Sequence, residues 1–166
     1  MLSFKKNYSK YYDILYLGKN YKEESHLIKR TIKRYSYKPA HLLDIGCGTG
    51  EYSKLLTSNN LHVTGLDKSS YMIKKAKKKF KNNKYLKFVK GDLLKYKSKI
   101  KFDIISALFH ILSYQIKNSQ IDKFFQNSAN MLNKKGIIIF DFWFKPGVIN
   151  LKQPNKFRKI KNKNLK

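Results

Sequence analysis

The sequence predicts an α/β fold: a doubly wound, mainly parallel sheet of about five strands with flanking helices. Short apolar runs alternate with segments of helical periodicity, which is typical of β-α-β units. The first apolar run breaks into a glycine-rich turn that opens a helix. Several runs also end in aspartate. Because the carboxyl ends of parallel strands meet at one edge of a sheet, these features predict a ligand site at that edge.

The composition favours a single globular domain with a strongly basic surface. The chain has 166 residues, of which 42% are hydrophobic, and a formal net charge of +27. This charge indicates either a nucleic-acid or anionic-surface partner or a general enrichment in solvated lysine. The second interpretation is favoured, because the lysines are spread over the whole chain and the only arginines are Arg30, Arg34 and Arg158. Arginine is better suited than lysine to bidentate recognition of phosphate and bases.

The sequence contains few features that indicate the cellular compartment of the protein. Cys47 is the only cysteine, so no internal disulfide can form. The N-terminus lacks an apolar signal core, and no apolar run approaches the roughly 20 residues of a membrane span. We therefore expect a cytoplasmic protein without a membrane partner.

Residues 1–40 are predicted to form a helical segment that covers the ligand site. The tyrosines of its first helix permit two interpretations: they pack in the core, or Tyr11 or Tyr12 caps the pocket, where an aromatic face attracts a cation. A second helix follows the turn at 18–20 and ends before Pro39.

Residues 41–150 are predicted to form the Rossmann-like domain. Its expected strands are 41–46, 61–67, 85–90, 100–108 and 136–142, with Gly136 as the left-handed cap of the helix before the last strand. Residues 145–166 contain eight basic residues and no acidic one, and we expect 151–166 to be a disordered tail.

The glycine turn is the first candidate site. Asp44 lies near the end of the first strand, and Gly46, Gly48 and Gly50 follow at alternate positions. Such glycines permit a sharp turn, close approach of a ligand and packing against the next helix. Free N–H groups at the helix start would suit a carboxylate-bearing ligand. The spacing is not G-x-G-x-x-G, which disfavours a nicotinamide dehydrogenase, and a tight turn without a ligand is the alternative.

The aspartates at or near the strand ends are the second candidate. In a chain with only ten acidic residues, their placement indicates a site rather than surface charge. Asp67, after the second strand, is placed to accept hydrogen bonds from ribose hydroxyls or to cap the next helix. Asp92, after the third, is placed to accept from the exocyclic amine of adenine. The strand-end set comprises Asp44, Asp67, Asp92, Asp103 and Asp141.

The stretch Asp-Ile-Gly-Cys-Gly-Thr-Gly at 44–50 resembles the first motif of class I S-adenosylmethionine-dependent methyltransferases, and the resemblance spans roughly residues 8–153. It implies S-adenosylmethionine as cofactor. The implied contacts to its methionine moiety are Asp44, Gly46, Cys47, Gly48 and Gly50, with Tyr12 above them.

The same resemblance assigns the remaining cofactor contacts. Asp67 would bind the ribose. Lys68 and Met72 would flank the adenine, although a methionine on a helix face is more often ordinary core. Asp92 and Leu93 would form the turn that reads the adenine. A further pair, Phe109 and His110, would lie close to the methyl group and the acceptor.

Residues 109–114 and 139–147 look most like small-molecule methyltransferases, including enzymes that act on amino sugars. We therefore expect methyl transfer to a nitrogen or oxygen atom of a small-molecule acceptor, with no metal. A neutral amine needs little base assistance, whereas a hydroxyl needs a base, for which His110 is the candidate. A hydrogen-bonded structural role for His110 is the alternative.

The sequence departs from the class at its C-terminal end, where a helix and an antiparallel strand pair are missing. The chain would then be a shortened enzyme, or a truncated remnant or non-catalytic cofactor-binding scaffold. A nucleic-acid-directed methyltransferase, suggested by charge, is less favoured because no Asn-Pro-Pro-Tyr-like element follows the fourth strand. An exposed last strand would favour a homodimer through the sheet edge.

Overall fold

The computed structural model describes residues 6–36, 38–144 and 146. The predicted tail, residues 151–166, lies outside the described residues. After two N-terminal helices, strands and helices alternate along the chain as predicted. The described elements are α1 (Lys6–Leu15), α2 (Tyr21–Tyr35), β1 (His41–Ile45), α3 (Glu51–Leu56), β2 (His62–Asp67), α4 (Ser70–Lys79), β3 (Leu86–Lys90), β4 (Phe102–Ala107), a 3-10 helix (Ile111–Tyr114), α5 (Asn118–Met131) and β5 (Leu132–Phe140).

The five strands form one sheet in the order β3-β2-β1-β4-β5, and every pairing is parallel. This confirms the predicted doubly wound α/β fold. Strand order reverses between β1 and β4, so the carboxyl end of β1 lies at the switch point where such sheets bind ligands. Asp44 of β1 stands in register with Gly65 of β2 and Ser106 of β4. Both neighbours are small, which leaves room for a carboxylate between the two flanking strands.

Both faces of the sheet are covered, which explains the continuous apolar runs of its central strands. One core cluster packs Leu43 and Ile105 against Phe124 of α5. The other packs Leu42 and Ile104 against residues of α2 and α3. The central strands are therefore held rigidly from both sides, and the turns at their carboxyl ends begin from a fixed base.

The prediction that Gly136 caps α5 in a left-handed conformation is wrong. The helix ends at Met131, Leu132 is already extended (φ −82°, ψ 149°), and β5 begins there. A Cβ added at Gly136 would lie 3.1 Å from the carbonyl oxygen of Phe102. Glycine is needed here because β4 approaches closely, at the point where the β4–β5 register shifts.

Asp103 does not belong to the ligand edge, contrary to the prediction for the strand-end aspartates. It lies near the amino end of β4, and its carboxylate accepts hydrogen bonds from the backbone N–H groups of Ala40 (2.8 Å) and His41 (3.0 Å) and from the side-chain amide of Asn133 (2.6 Å). Burial acts to raise the pKa of Asp103, but these hydrogen bonds outweigh it and hold the pKa below its ordinary value. Its role is to fasten the start of β1 to β4.

β5 is the last strand of the sheet, and exposed aromatic side chains follow it. Phe142, Trp143 and Phe144 are each more than half exposed. Homodimer formation through this edge stays a prediction. Within the described part of the chain, no helix has the length and apolar character needed to cross a membrane.

Candidate functional site

The glycine turn connects β1 to α3 through three left-handed residues: Gly46 (φ +72°), Gly48 (φ +55°) and Gly50 (φ +89°). A Cβ at Gly46 would lie 2.3 Å from Cδ1 of Ile111, and one at Gly50 would lie 2.5 Å from Cζ of Phe88. Both positions therefore exclude a side chain sterically as well as conformationally. At Gly48 an added Cβ would have the Tyr12 hydroxyl oxygen as its nearest neighbour, 3.8 Å away.

The turn uses its own amides to bind the neighbouring strand. The N–H groups of Gly46 and Cys47 both donate to the carbonyl oxygen of Leu66 (2.7 and 3.1 Å), and that of Gly50 donates to the Cys47 carbonyl (2.9 Å). The Gly48 N–H donates to Oδ2 of Asp67 at 2.9 Å. The expectation that free amides here receive a carboxylate is therefore wrong for these four groups. An anionic ligand group at the turn would have to use groups other than these four amides.

Asp67 ties the end of β2 to the glycine turn. Its Oδ1 accepts from the Ser69 N–H (2.7 Å), while Oδ2 accepts from Gly48. Burial raises the pKa of Asp67, and the two backbone hydrogen bonds oppose this shift. The capping interpretation is wrong, because Ser69 is the N-cap of α4 and accepts from the Met72 N–H. Asp67 is thus a partly buried strand-end carboxylate at the switch-point edge.

The third acidic position lies one strand further out. Asp92 accepts from the Leu94 N–H (2.9 Å), and its other oxygen lies 3.0 Å from the Lys68 ammonium. Burial acts to raise the pKa of Asp92, but these two partners lower it below its ordinary value. Lys68 is largely exposed, Leu93 packs against the main core cluster, and Met72 is buried. The structure thus brings Lys68 and Asp92 together, whereas Met72 is part of the hydrophobic core.

Asp44 supports the turn from beneath. It is buried, and its two oxygens accept from the hydroxyls of Ser53 (2.5 Å) and Ser106 (2.8 Å). Burial raises its pKa from 3.8 to about 6, although both hydroxyls favour the ionised form. The neutral form therefore stabilises the folded chain more than the ionised form does.

Replacing Asp44 by asparagine should remove a pH dependence of stability. Because the folded state holds this proton more tightly than the unfolded state, the free energy of unfolding should fall as the pH rises from about 4 to about 6 and then level off. The shift corresponds to about 3 kcal/mol. Urea unfolding of wild type and Asp44→Asn at pH 4.5 and 7.5 measures the difference.

Asp103→Asn is the matched control for this prediction. The pKa of Asp103 is lowered in the fold, so its contribution is present above about pH 4 and is lost as the pH falls. The two variants should therefore change the pH profile with opposite signs. An unchanged difference between the two pH values in Asp44→Asn would contradict the assignment.

The loop after β4 holds two consecutive non-glycine residues in the left-handed region, Phe109 (φ 64°) and His110 (φ 60°). The carboxylate of Asp141, just beyond β5, accepts from both of their N–H groups, at 2.9 and 2.6 Å. Such strain persists only where the surroundings fix it, and it is concentrated at functional sites. Asp141 thus presets the loop that carries the candidate base.

The His110 ring is held between the same carboxylate and an aromatic neighbour. Its Nδ1 lies 3.9 Å from Oδ2 of Asp141, and the ring meets Trp143 edge to face at 5.5 Å. Among the described residues, Nδ1 is buried without a hydrogen-bond partner. An imidazole in this position could accept a proton with a carboxylate nearby to stabilise the resulting cation.

α1 is fastened over the turn by Asp13, which the sequence analysis missed. The Thr49 hydroxyl donates to Asp13 Oδ1 at 2.6 Å, and the ammonium groups of Lys75 and Lys79 lie 3.1 and 3.6 Å from Oδ2. Burial acts to raise the pKa of Asp13, but these partners outweigh it and lower the pKa. The glycine turn, α1 and α4 are thereby joined at one point.

A cavity lies between α1, the glycine turn and the β4 loop. Five predicted site residues line it. The thiol among them, Cys47, is kept neutral because burial, with Asp44 and Asp67 nearby, raises its pKa well above the usual value. The lining residues are Tyr12, Tyr21, Asp44, Gly46, Cys47, Thr49, Glu51, Tyr52, Leu108 and Phe109.

The family comparison agrees with this geometry. A family model described as "Methyltransferase domain" matches residues 42–136, which is more than half of the chain. The chain belongs to this methyltransferase family. The matched range begins in β1 and ends within β5, so it contains the carboxyl ends of β1, β2, β3 and β4.

Relatives and solved structures extend the comparison. This chain is 25% identical over 137 residues to the dTDP-3-amino-3,6-dideoxy-alpha-D-glucopyranose N,N-dimethyltransferase of Streptomyces fradiae, covering 81% of this chain and 52% of that protein. The crystal structure of Streptomyces venezuelae DesVI superimposes with a TM-score of 0.74 at 24% identity, covering 82% of this chain and 57% of that one.

A structure of S-adenosylmethionine-bound CalS10, an amino pentose methyltransferase from Micromonospora echinaspora, gives a TM-score of 0.71 at 21% identity, covering 87% and 58%. These likenesses show the Rossmann-like fold of S-adenosylmethionine-dependent methyltransferases. The chain spans about half the length of the curated relatives that it matches first.

Proposed function

We propose that this chain binds S-adenosylmethionine at the carboxyl edge of its sheet and transfers the methyl group to a nitrogen or oxygen atom of a small molecule, with an amino sugar as the favoured acceptor. The observation that carries the proposal is the position of the cavity. It joins the glycine turn to the preset Phe109 loop at the point where strand order reverses.

The residues fit the cofactor in chemical type. The cavity beside Gly46 and Cys47 is lined largely by aromatic and apolar groups, which suits a methionine moiety with its sulfonium cation. Asp67 offers a partly buried carboxylate for ribose hydroxyls, and Asp92 offers another for the adenine amine. Gly48 faces only Tyr12 across the turn, which leaves α1 as the cover of this part of the site.

When bound, S-adenosylmethionine supplies a methyl group that is already activated for displacement. The protein then contributes alignment and exclusion of water, and alignment alone accounts for roughly 7–11 kcal/mol of a barrier in favourable cases. Asp141 holds the Phe109–His110 loop in one conformation. For a hydroxyl acceptor, His110 would take the proton, whereas a neutral amine needs no such base.

The acceptor class is supported by the relatives. The proteins of Streptomyces fradiae and Streptomyces venezuelae that match this chain at 25% identity are named as dimethyltransferases of dTDP-linked 3-amino sugars.

The acceptor can be tested with a pair of matched compounds. Methyl transfer from radiolabelled S-adenosylmethionine is measured on a nucleoside-diphosphate 3-amino sugar and on its 3-hydroxyl counterpart. We expect turnover on the amine, retained in His110→Ala, and any turnover on the hydroxyl to be lost in that variant. His62→Ala, at the exposed amino end of β2, is the control and should change neither rate.

Two outcomes would contradict the proposal. Cofactor binding without turnover on either sugar would favour the scaffold. Turnover on a nucleic acid, with affinity that falls steeply as salt rises, would favour the nucleic-acid-directed alternative.

A further inference from the structure

The cofactor's α-carboxylate would gain from a cation close to the glycine turn. The amides of Gly46, Cys47, Gly48 and Gly50 all donate to acceptors within the protein. A carboxylate buried beside the turn without a cation or free donors would carry a large desolvation penalty. This step rests on the proposed function, because it takes the bound molecule to be S-adenosylmethionine.

Lys19, in the turn between α1 and α2, is a cation held at the border of the cavity. Its side chain is only 15% exposed. The ammonium lies over three aromatic rings, at 4.2 Å from the ring centroid of Phe109, 5.5 Å from that of Tyr21 and 5.6 Å from that of Tyr52. All three rings also line the cavity beside the glycine turn, so the ammonium lies against side chains that form the wall of this cavity.

The present ion-pair partner of Lys19 is exchangeable. The ammonium lies 2.9 Å from the Glu24 carboxylate, whose side chain is 46% exposed. Glu24 lies in the first turn of α2, where the helix dipole favours a negative charge without any ion pair. The Glu24 side chain can therefore leave the ion pair for solvent at a low cost in free energy, whereas the Lys19 ammonium stays among the rings.

The other ammonium groups near the turn are already engaged. Lys75 and Lys79 face Asp13, and Lys79 also pairs with Glu51. These contacts fasten α1 to α4, so using them for a ligand would loosen the cover of the site. Lys19 is the nearby cation whose transfer to a ligand leaves that attachment intact.

We propose that Lys19 binds the α-carboxylate of the cofactor, in exchange for Glu24. The aromatic rings hold the ammonium in place, and cation–π attraction is strongest for a cation that has lost much of its water. Lys19 would thus select for cofactors that carry the complete methionine moiety.

Two adenosine compounds test this assignment without any acceptor. S-adenosylhomocysteine contains the carboxylate, and 5′-methylthioadenosine lacks it. Calorimetric titration of the full chain should show that Lys19→Met weakens the binding of S-adenosylhomocysteine by about 10- to 100-fold. The affinity for 5′-methylthioadenosine should stay unchanged. Lys19→Arg, which keeps the charge, should retain most of the discrimination.

Glu24→Gln is the complementary variant. It frees Lys19 from its partner, so S-adenosylhomocysteine should bind several-fold more tightly while 5′-methylthioadenosine stays the same. Circular dichroism and melting temperatures confirm that each variant is folded. If Lys19→Met weakens the binding of both compounds equally, or of neither, the role of Lys19 is overturned while the proposed function still stands. A folded wild-type chain that binds neither compound would overturn the proposed function as well.

Discussion

Gly46→Ala should lower the melting temperature by about 6–12 °C and abolish measurable binding of S-adenosylhomocysteine. The new methyl group would lie 2.3 Å from Cδ1 and 2.4 Å from Cγ1 of Ile111. Overpacking of this kind costs roughly 1–3 kcal/mol, and a left-handed non-glycine residue costs roughly a further 1–2 kcal/mol. Relief would require the Ile111 side chain to change its rotamer, or the 3-10 helix that begins with this residue to move. Differential scanning calorimetry and titration measure the two effects.

Gly48→Ala is the matched control. Its backbone is also left-handed, but the added Cβ meets nothing closer than the Tyr12 hydroxyl oxygen at 3.8 Å. Only the conformational cost applies, so the melting temperature should fall by about 2–8 °C. Equal destabilisation by the two substitutions would show that Ile111 does not pack against the turn as described.

Asp67→Asn should weaken the binding of S-adenosylhomocysteine by about 10- to 100-fold. The substitution removes the only charged acceptor at the end of β2, which we expect to bind the ribose hydroxyls. The N–H groups of Gly48 and Ser69 now donate to different oxygens of the carboxylate, at 2.9 and 2.7 Å. In either orientation of the new amide, its NH2 group therefore faces one of these two donors. Calorimetric titration at neutral pH measures the loss.

Asp103→Asn separates this effect from general damage to the sheet. Asp103 also accepts from two backbone N–H groups, but at the amino edge. It should lower the melting temperature without changing the dissociation constant. Loss of affinity in Asp103→Asn comparable to that in Asp67→Asn would contradict the placement of the cofactor at the carboxyl edge.

The topology could be predicted because it follows from patterns of residues that are close together in the sequence. Alternation of apolar runs with helical periodicity sets the parallel sheet, and the glycines after β1 mark the turn at its switch point. Asp67 was also recognisable, since its place at a strand end follows from the sequence alone. These features depend on residues close to one another along the chain.

The remainder depends on contacts between distant segments. Asp103 and Asp141 look alike in sequence, yet Asp103 fastens β1 at the amino edge while Asp141 receives the amides of Phe109 and His110. Gly136 follows a helix as a capping glycine would, but the close approach of β4 extends it into a strand. Lys19 is one lysine among many, and only its three aromatic neighbours distinguish it.

The most direct test of the account is calorimetric titration of the 166-residue chain with S-adenosylhomocysteine. The account predicts one site per chain with micromolar affinity, weakened about 10- to 100-fold in Asp67→Asn. A chain shown to be folded by circular dichroism that gives no binding heat at several temperatures would contradict it.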